Sequence, residues 1–164
     1  MYLLPFSRAH ASLVASWPRS SDEVLLWCGG KEFPLPAETV LDWQLDDEVQ
    51  SYLLIDDEVP VGYGELWLDA EENEVELARI ILSPAARGRG LGQALTRDLL
   101  AAARRTGHAD VFLRVHPDNA TALRCYAAAG FVPVAAELAA EWNEPQPVDY
   151  VWLQPGDKDT GAPS

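Results

Sequence analysis

Arg87-Gly88-Arg89-Gly90-Leu91-Gly92 sets three glycines at alternate positions, directly before an amphipathic helix running from about Leu91 to Arg105. Glycine lets a backbone take φ > 0 and pass close to a ligand. A helix opening there leaves its first N–H groups without intrahelical acceptors. Those amides, the positive end of the helix dipole and two arginines form an anion site, so the predicted ligand is a phosphorylated cofactor. No Lys-Ser or Lys-Thr follows the glycines, which excludes a Walker A loop. The every-second-residue spacing also fits a Rossmann fingerprint poorly.

The segments around the loop determine how it is held. Tyr2 to Phe6 reads as a strand, and Ser7 to Trp17 as a helix with Ala9, Leu13 and Trp17 at helical spacing. Ser20-Ser21-Asp22-Glu23 reads as a capping box that starts a helix ending near Gly29-Gly30. Pro34 and Pro36 open another helix, from about Ala37 to Asp46. Ser51–Ile55, Val59–Leu68 and Val75–Leu82 read as an antiparallel meander joined by short polar turns. Beyond the loop and its helix, Asp110–Val115 is a strand, and Asp118 or Asn119 caps a helix that Gly130 stops. Phe131–Val134 and Val148–Leu153 complete the strands, and the Gly-, Pro- and Asp-rich tail from Gln154 reads as disordered.

Charge is unevenly placed along the chain. The net charge of the 164 residues is −14, which argues against general nucleic-acid binding. Between Glu38 and Glu76 there are fourteen Asp or Glu and no Lys or Arg, whereas Arg79 to Arg124 holds eight Arg against three Asp. An acidic chain with a basic glycine-loop segment suits an anionic ligand at the loop. Cys28 and Cys125 read as buried apolar side chains, not as a disulfide framework. The N-terminus lacks the basic and apolar regions of a signal peptide, and no apolar run is long enough to span a membrane. A cytoplasmic location is therefore expected. His10, His108 and His116 have no metal-ligand spacing, so no metal is expected; His116 is a weak candidate for relaying a proton.

Several of these features combine into one pattern. Arg87-x-x-Gly90-x-Gly92 follows a strand ending in Ser83-Pro84, Asn119 and Tyr126 lie seven residues apart, and Gly130-Phe131 comes next. This combination, over about residues 51 to 134, resembles the GNAT superfamily of N-acetyltransferases. The resemblance implies one α/β domain over residues 1–154, with residues 155–164 as the tail. Its sheet would be mixed, mainly antiparallel and twisted, with six or seven strands and about four helices. Acetyl-CoA would lie in a wedge where the fourth and fifth strands splay apart. The pyrophosphate would sit behind Arg87 on the amides of Gly88, Arg89, Gly90, Leu91, Gly92 and Gln93. The pantetheine arm would pair with backbone groups of Ile80 and Leu82, and Asn119 would bond the cofactor from the far side.

The resemblance also assigns chemistry. Tyr126 would donate a proton to the departing thiolate, since a phenol is protonated at neutral pH. A backbone N–H near Ile80 or Ile81 would hold the oxyanion. One branch of the family uses a Glu on the fifth strand as base, where this chain has Arg114. Another uses a Glu on the fourth strand, which falls on Glu76 here. Strand alternation then places Glu76, Ala78, Ile80 and Leu82 on one face. The alternative is that Glu76 only continues the acidic hairpin Glu71-Glu72-Asn73-Glu74. Trp27, Trp43 and Trp67 read as packing residues, with an acceptor-pocket wall as the alternative. The acceptor expected from the acidic Glu38–Glu76 segment is a cationic amine, small molecule or peptide. A monomer or homodimer is expected. Two other functions fit the same motifs: a non-catalytic acyl-CoA sensor, and an acyltransferase using a longer acyl-CoA.

Overall fold

Leu53 and Ile55 pack on one face of the sheet and Leu54 on the other, as period-two side chains must. That alternation divides the core into layers on the two faces of a seven-stranded sheet. The computed structural model describes residues 1–156. Its strands are β1 (Tyr2–Pro5), β2 (Val49–Asp56), β3 (Val59–Asp69), β4 (Glu74–Leu82), β5 (Asp110–Val115), β6 (Phe131–Pro133) and β7 (Val151–Pro155). The helices are α1 (Ala11–Ala15), α2 (Ser21–Cys28), α3 (Ala37–Trp43), α4 (Leu91–Arg105), α5 (Ala120–Ala128) and α6 (Ala136–Asn143). Single 3-10 turns cover Arg8–His10 and Pro84–Ala86.

Strand order is β1-β2-β3-β4-β5-β7-β6. Every pair is antiparallel except β4 and β5, which run parallel because α4 carries the chain across. Helix α4 lays Leu91, Leu95, Leu99 and Ala103 against Leu54, Leu66, Leu77 and Leu113. Leu95 and Leu99 are wholly buried, each contributing about 1.5–3 kcal/mol. On the opposite face Val14 and Trp17 cover Leu53, Ile55, Tyr63 and Ile81.

Element by element, the expectations hold with corrections. Helix α4 and strand β5 have the predicted bounds. Ser7–Trp17 is not one helix but the Arg8–His10 turn followed by α1. Six helices form among the described residues where about four were expected; α6, which no sequence signal marked, has no side-chain cap to announce it. Gln154 and Pro155 extend β7, and Gly156 N–H donates to Gly130 O at 2.9 Å, so the predicted tail begins too early. Its remainder, residues 157–164, lies outside the described residues.

Candidate active site

Parallel pairing between β4 and β5 lasts only from Glu74↔Asp110 to Leu77↔Leu113. Beyond it β5 pairs with β7 alone, through Arg114 and Val115. The β5-facing edge of β4 from Ala78 to Leu82 is therefore left without a strand. A cleft of about 630 Å³ fills the gap, lined by β4, Arg87, Gly92, Asn119, Cys125, Tyr126 and Tyr150 among others.

The splay has a local cause in β4. Glu65 faces Ala78 but Tyr63 faces Ile81, so β4 carries one extra residue there. Arg79 takes φ +49°, the left-handed region, which costs a non-glycine residue ~1–3 kcal/mol. The bulge overturns the expectation that Glu76, Ala78, Ile80 and Leu82 share a face. Ile80 and Leu82 pack toward α4, Ile81 packs toward α1, and Glu76 turns to Arg114. An extra residue reverses the alternation beyond it.

Contacts from three elements hold the bulge. Trp27 Nε1 of α2 donates to Arg79 O at 2.8 Å. The Arg79 guanidinium donates to Glu65 Oε1 at 2.9 Å and lies 4.1 Å from the Trp43 ring of α3 and 4.9 Å from the Trp67 ring of β3. Glu65 is wholly buried and also accepts from Trp67 Nε1 at 2.8 Å and from the Tyr63 hydroxyl. Burial, followed by the Glu65 charge, pushes the Tyr63 phenol far above its ordinary value, so it remains a donor. Sequence reasoning missed this cluster. Arg79→Met should destabilise the fold by about 3–5 kcal/mol, because it leaves a buried carboxylate without its cation. Urea denaturation measures this, and a loss under about 1 kcal/mol would show that Trp67 and Tyr63 satisfy Glu65 alone.

Of the glycine loop only Arg87 and Gly92 line the cleft; Gly90, between them in sequence, is the N-cap of α4 at φ +78° and has no side chain to offer the first-turn amides. Gly92 serves differently: a Cβ there would lie 2.9 Å from Cys125 Sγ, so this glycine lets α4 and α5 approach. The two loop arginines are already engaged. Arg87 Nη1 donates to Glu23 at 3.0 Å, while Nη2 donates to Trp17 O at 3.1 Å and, with Nε, to Leu82 O at 3.2 Å. The guanidinium thus ties the loop to α2 and to the end of β4. Arg89 pairs loosely with Asp56 at 3.5 Å and is about half exposed. Ser20 caps α2 as expected, but Glu23 reaches back to Arg19 N–H at 3.0 Å and not to Ser20. Burial works to raise the Glu23 carboxyl, yet Arg19 and Arg87 outweigh it and hold it below its ordinary value.

Asn119, and not Asp118, caps α5: its Oδ1 accepts from Ala122 N–H at 3.2 Å. That orientation leaves Nδ2 as the free donor on the cleft wall. Tyr126 stands one wall further in, 9% exposed, and its hydroxyl has no protein partner among the described residues. Burial first, then the neighbouring Cys125, raises its pKa. Glu76 is met by Arg114 in a two-point ion pair, Nε to Oε2 at 2.7 Å and Nη2 to Oε1 at 2.9 Å. Burial alone would lower the Arg114 pKa, but the Glu76 contact overrides it and raises it. The Arg114 guanidinium lies 4.7 Å from the Trp152 ring and 5.5 Å from that of Tyr150. Asn143 of α6 fixes Tyr150 by bonds to its N–H at 3.0 Å and its carbonyl at 2.9 Å. His116 Nδ1 accepts from Asp118 N–H at 3.1 Å, turned toward its own loop.

A second cleft, of about 480 Å³, adjoins the first. Asp42, Asp46, Glu48, Asp69, Glu74 and Glu76 ring it, Trp43, Trp67 and Phe112 wall it, and the two clefts share Trp67, Glu76 and Arg79. No group of three or more His, Cys, Asp or Glu among the described residues could hold a metal, and none of their helices is long and apolar enough to cross a membrane.

A cleft at the carboxyl ends of splayed parallel strands, with a bare helix N-terminus beside it, is the place where α/β folds take up phosphorylated ligands. The chain belongs to the GNAT family of acetyltransferases, whose sequence model, Acetyltransferase (GNAT) family, matches residues 12–131. It is 32% identical over 132 residues to mycothiol acetyltransferase of Corynebacterium glutamicum (strain R), covering 77% of this chain and 44% of that protein. The chain therefore spans less than half the length of that relative. Among solved structures, AAC(6')-Ib with ribostamycin and coenzyme A matches at TM-score 0.77 and 20% identity, over 99% of this chain and 96% of the other. A Vibrio cholerae spermidine N-acetyltransferase SpeG chimera with hSSAT matches at TM-score 0.72 and 16% identity, over 98% and 97%. Likeness at these identities establishes the shared fold.

Proposed function

We propose that this protein transfers the acetyl group of acetyl-CoA to a primary amine on a cationic acceptor. The observation that carries this reading is the junction of the two clefts at Trp67, Glu76 and Arg79. One cleft has the unpaired strand edge and bare helix N-terminus that suit a phosphorylated, amide-bearing cofactor. The other is ringed by six carboxylates, while its one arginine, Arg79, already pairs with Glu65. Glu74 reports the crowding: burial, then Asp69, Glu72, Asp110 and Glu76, raise its carboxyl pKa. A bound cation relieves that repulsion, and a cleft of one sign concentrates ligands of the other. Structures of similar fold were solved with ribostamycin, and with CoA and spermine.

Acetyl-CoA, when bound, supplies an acyl carbon activated as a thioester. The chain supplies the rest. Amides from Gly88 to Gln93 hold the pyrophosphate, and Asn119 Nδ2 donates from the opposite wall. Backbone groups of Ile80, Ile81 and Leu82 align the pantetheine arm. As the amine nitrogen bonds to the carbonyl carbon and the C–S bond breaks, the Ile80 N–H steadies the oxygen charge. Tyr126 gives its proton to the thiolate. Glu76 takes the amine's proton through a water, using the lone pairs that Arg114 leaves open.

A panel of amines with acetyl-CoA, read by released thiol, tests the reading. Di- and polycationic amines should be preferred over neutral or acidic ones. For the best acceptor, kcat/KM should fall several-fold between about 0.01 M and about 1 M salt, as the Debye length shrinks from ~30 to ~3 Å. A salt-independent kcat/KM, or an anionic best acceptor, would leave the carboxylates as a solvated surface.

A further inference from the structure

We propose that Trp27 is a positioning residue for acyl transfer, its indole N–H setting the direction of the Ile80 N–H. The proposal rests on the acetyltransferase reading above. Arg79 C=O and Ile80 N–H belong to the same peptide unit. That unit is planar and trans, so its carbonyl and its N–H point in opposite directions. Trp27 Nε1 holds the Arg79 carbonyl at 2.8 Å, a contact reaching across 52 residues of sequence. Ile80 itself lines the cofactor cleft. Helix α2 is itself one wall of the cleft, through Leu25 to Gly29. Fixing the carbonyl on that wall fixes the Ile80 N–H pointing away from it, and there it would meet the reacting carbonyl.

An isolated peptide at a bulge has no such restraint. The ladder on β3 skips a position here, pairing Tyr63 with Ile81 and Glu65 with Ala78. Arg79 sits at φ +49°, a sparsely populated conformation that persists only where its surroundings hold it. The indole bond holds the backbone end of Arg79, while Glu65 and the Trp43 and Trp67 rings hold its side chain. Trp27 in turn is wedged edge-on against Trp43 at 5.3 Å and Tyr63 at 6.3 Å, so its N–H cannot swing away. A buried indole N–H needs an acceptor in any case; here that acceptor is the backbone carbonyl of the strained residue itself. Hydrogen-bond donors aimed in advance at developing charge are the larger part of this type of catalysis.

Trp27→Phe keeps one aromatic ring and removes the donor together with the second ring of the indole, so urea denaturation accompanies both readouts. The first readout is the Ile80 amide resonance in the ¹⁵N-labelled protein without cofactor or acceptor. It should shift and broaden as the 79–80 peptide gains a second orientation, while resonances of α4 stay in place. The second readout is kinetic. On the preferred amine kcat should fall roughly 10-fold, part of the loss seen when such a donor is removed outright, with CoA affinity by calorimetry within about twofold. Glu65→Gln, which loosens the same residue from its side-chain end, should move the Ile80 resonance the same way and keeps the proposal testable if Trp27→Phe folds poorly. An unmoved Ile80 resonance in both folded variants overturns the proposal, as does a wild-type kcat in Trp27→Phe. If no amine is acetylated at all, the function is wrong, and the amide readout still decides whether Trp27 sets the peptide.

Discussion

Gly90→Asp is expected to abolish CoA binding, lowering affinity by more than about 10²-fold, in a protein that still folds. Gly90 is the N-cap of α4 at φ +78°, and nothing lies within 4 Å of where its Cβ would stand. The new side chain therefore meets no steric clash. Its cost is the left-handed backbone, about 1–2 kcal/mol, partly offset because aspartate is a favoured helix cap. The same capping bond removes first-turn amides from any ligand, and the carboxylate repels a pyrophosphate placed there. Gly90→Asn separates the two effects: it caps without charge and tolerates φ > 0, so it should weaken binding much less. Calorimetric titration with CoA measures all three proteins. Unchanged affinity in folded Gly90→Asp would place the phosphate site elsewhere on the molecule.

The residues proposed to bind were more readable from sequence than those that support them. The glycine loop, Asn119 and Tyr126 are tied to local features, a helix start and one helix face, and such features have a fixed period. The parallel β4–β5 pair and its splay followed from the family resemblance and are present in the structure. The bulge at Arg79 was not readable, because alternation counts residues and one extra residue is invisible to the count. Yet a signal existed. Glu65 and Arg79 are opposite charges inside apolar stretches of neighbouring strands, Gly62–Leu68 and Val75–Leu82. A lone buried charge is costly enough that each implied the other. The same reasoning applied to Glu76 and Arg114 would have found their ion pair, since Arg114 lies two residues beyond Phe112, the partner of Glu76 in the parallel ladder.

Arg87 shows a different limit. Its place in the loop pointed to phosphate, but its guanidinium points inward to Glu23, Trp17 O and Leu82 O. Sequence distance hid this, because Glu23 and Arg87 are 64 residues apart. The consequence is functional. On the proposed reading, backbone amides and the helix dipole, with the half-exposed Arg89 beside them, are what the loop has left for an anion. They act at short range and demand close approach, which is what a glycine cap permits.

Tyr126→Phe is expected to lower kcat roughly 10²-fold, the low end of the range for a general acid. Only the hydroxyl is lost. The ring still packs in the α4-side core, and the hydroxyl has no protein partner among the described residues, so stability should change little. CoA affinity should stay within about twofold, because the thiol end contributes little to holding the cofactor. The pH dependence carries a further test. Burial raises the Tyr126 pKa above that of a free phenol, so the acid form persists to higher pH. Wild-type kcat should therefore show no alkaline fall at the ordinary phenol value of ~10. A fall on the acid side would belong to the groups that accept the amine's proton. Single-turnover measurement on the preferred acceptor keeps product release from masking the chemical step. Wild-type turnover in this variant would remove Tyr126 from the mechanism and leave the leaving thiolate to be protonated by water in the cleft.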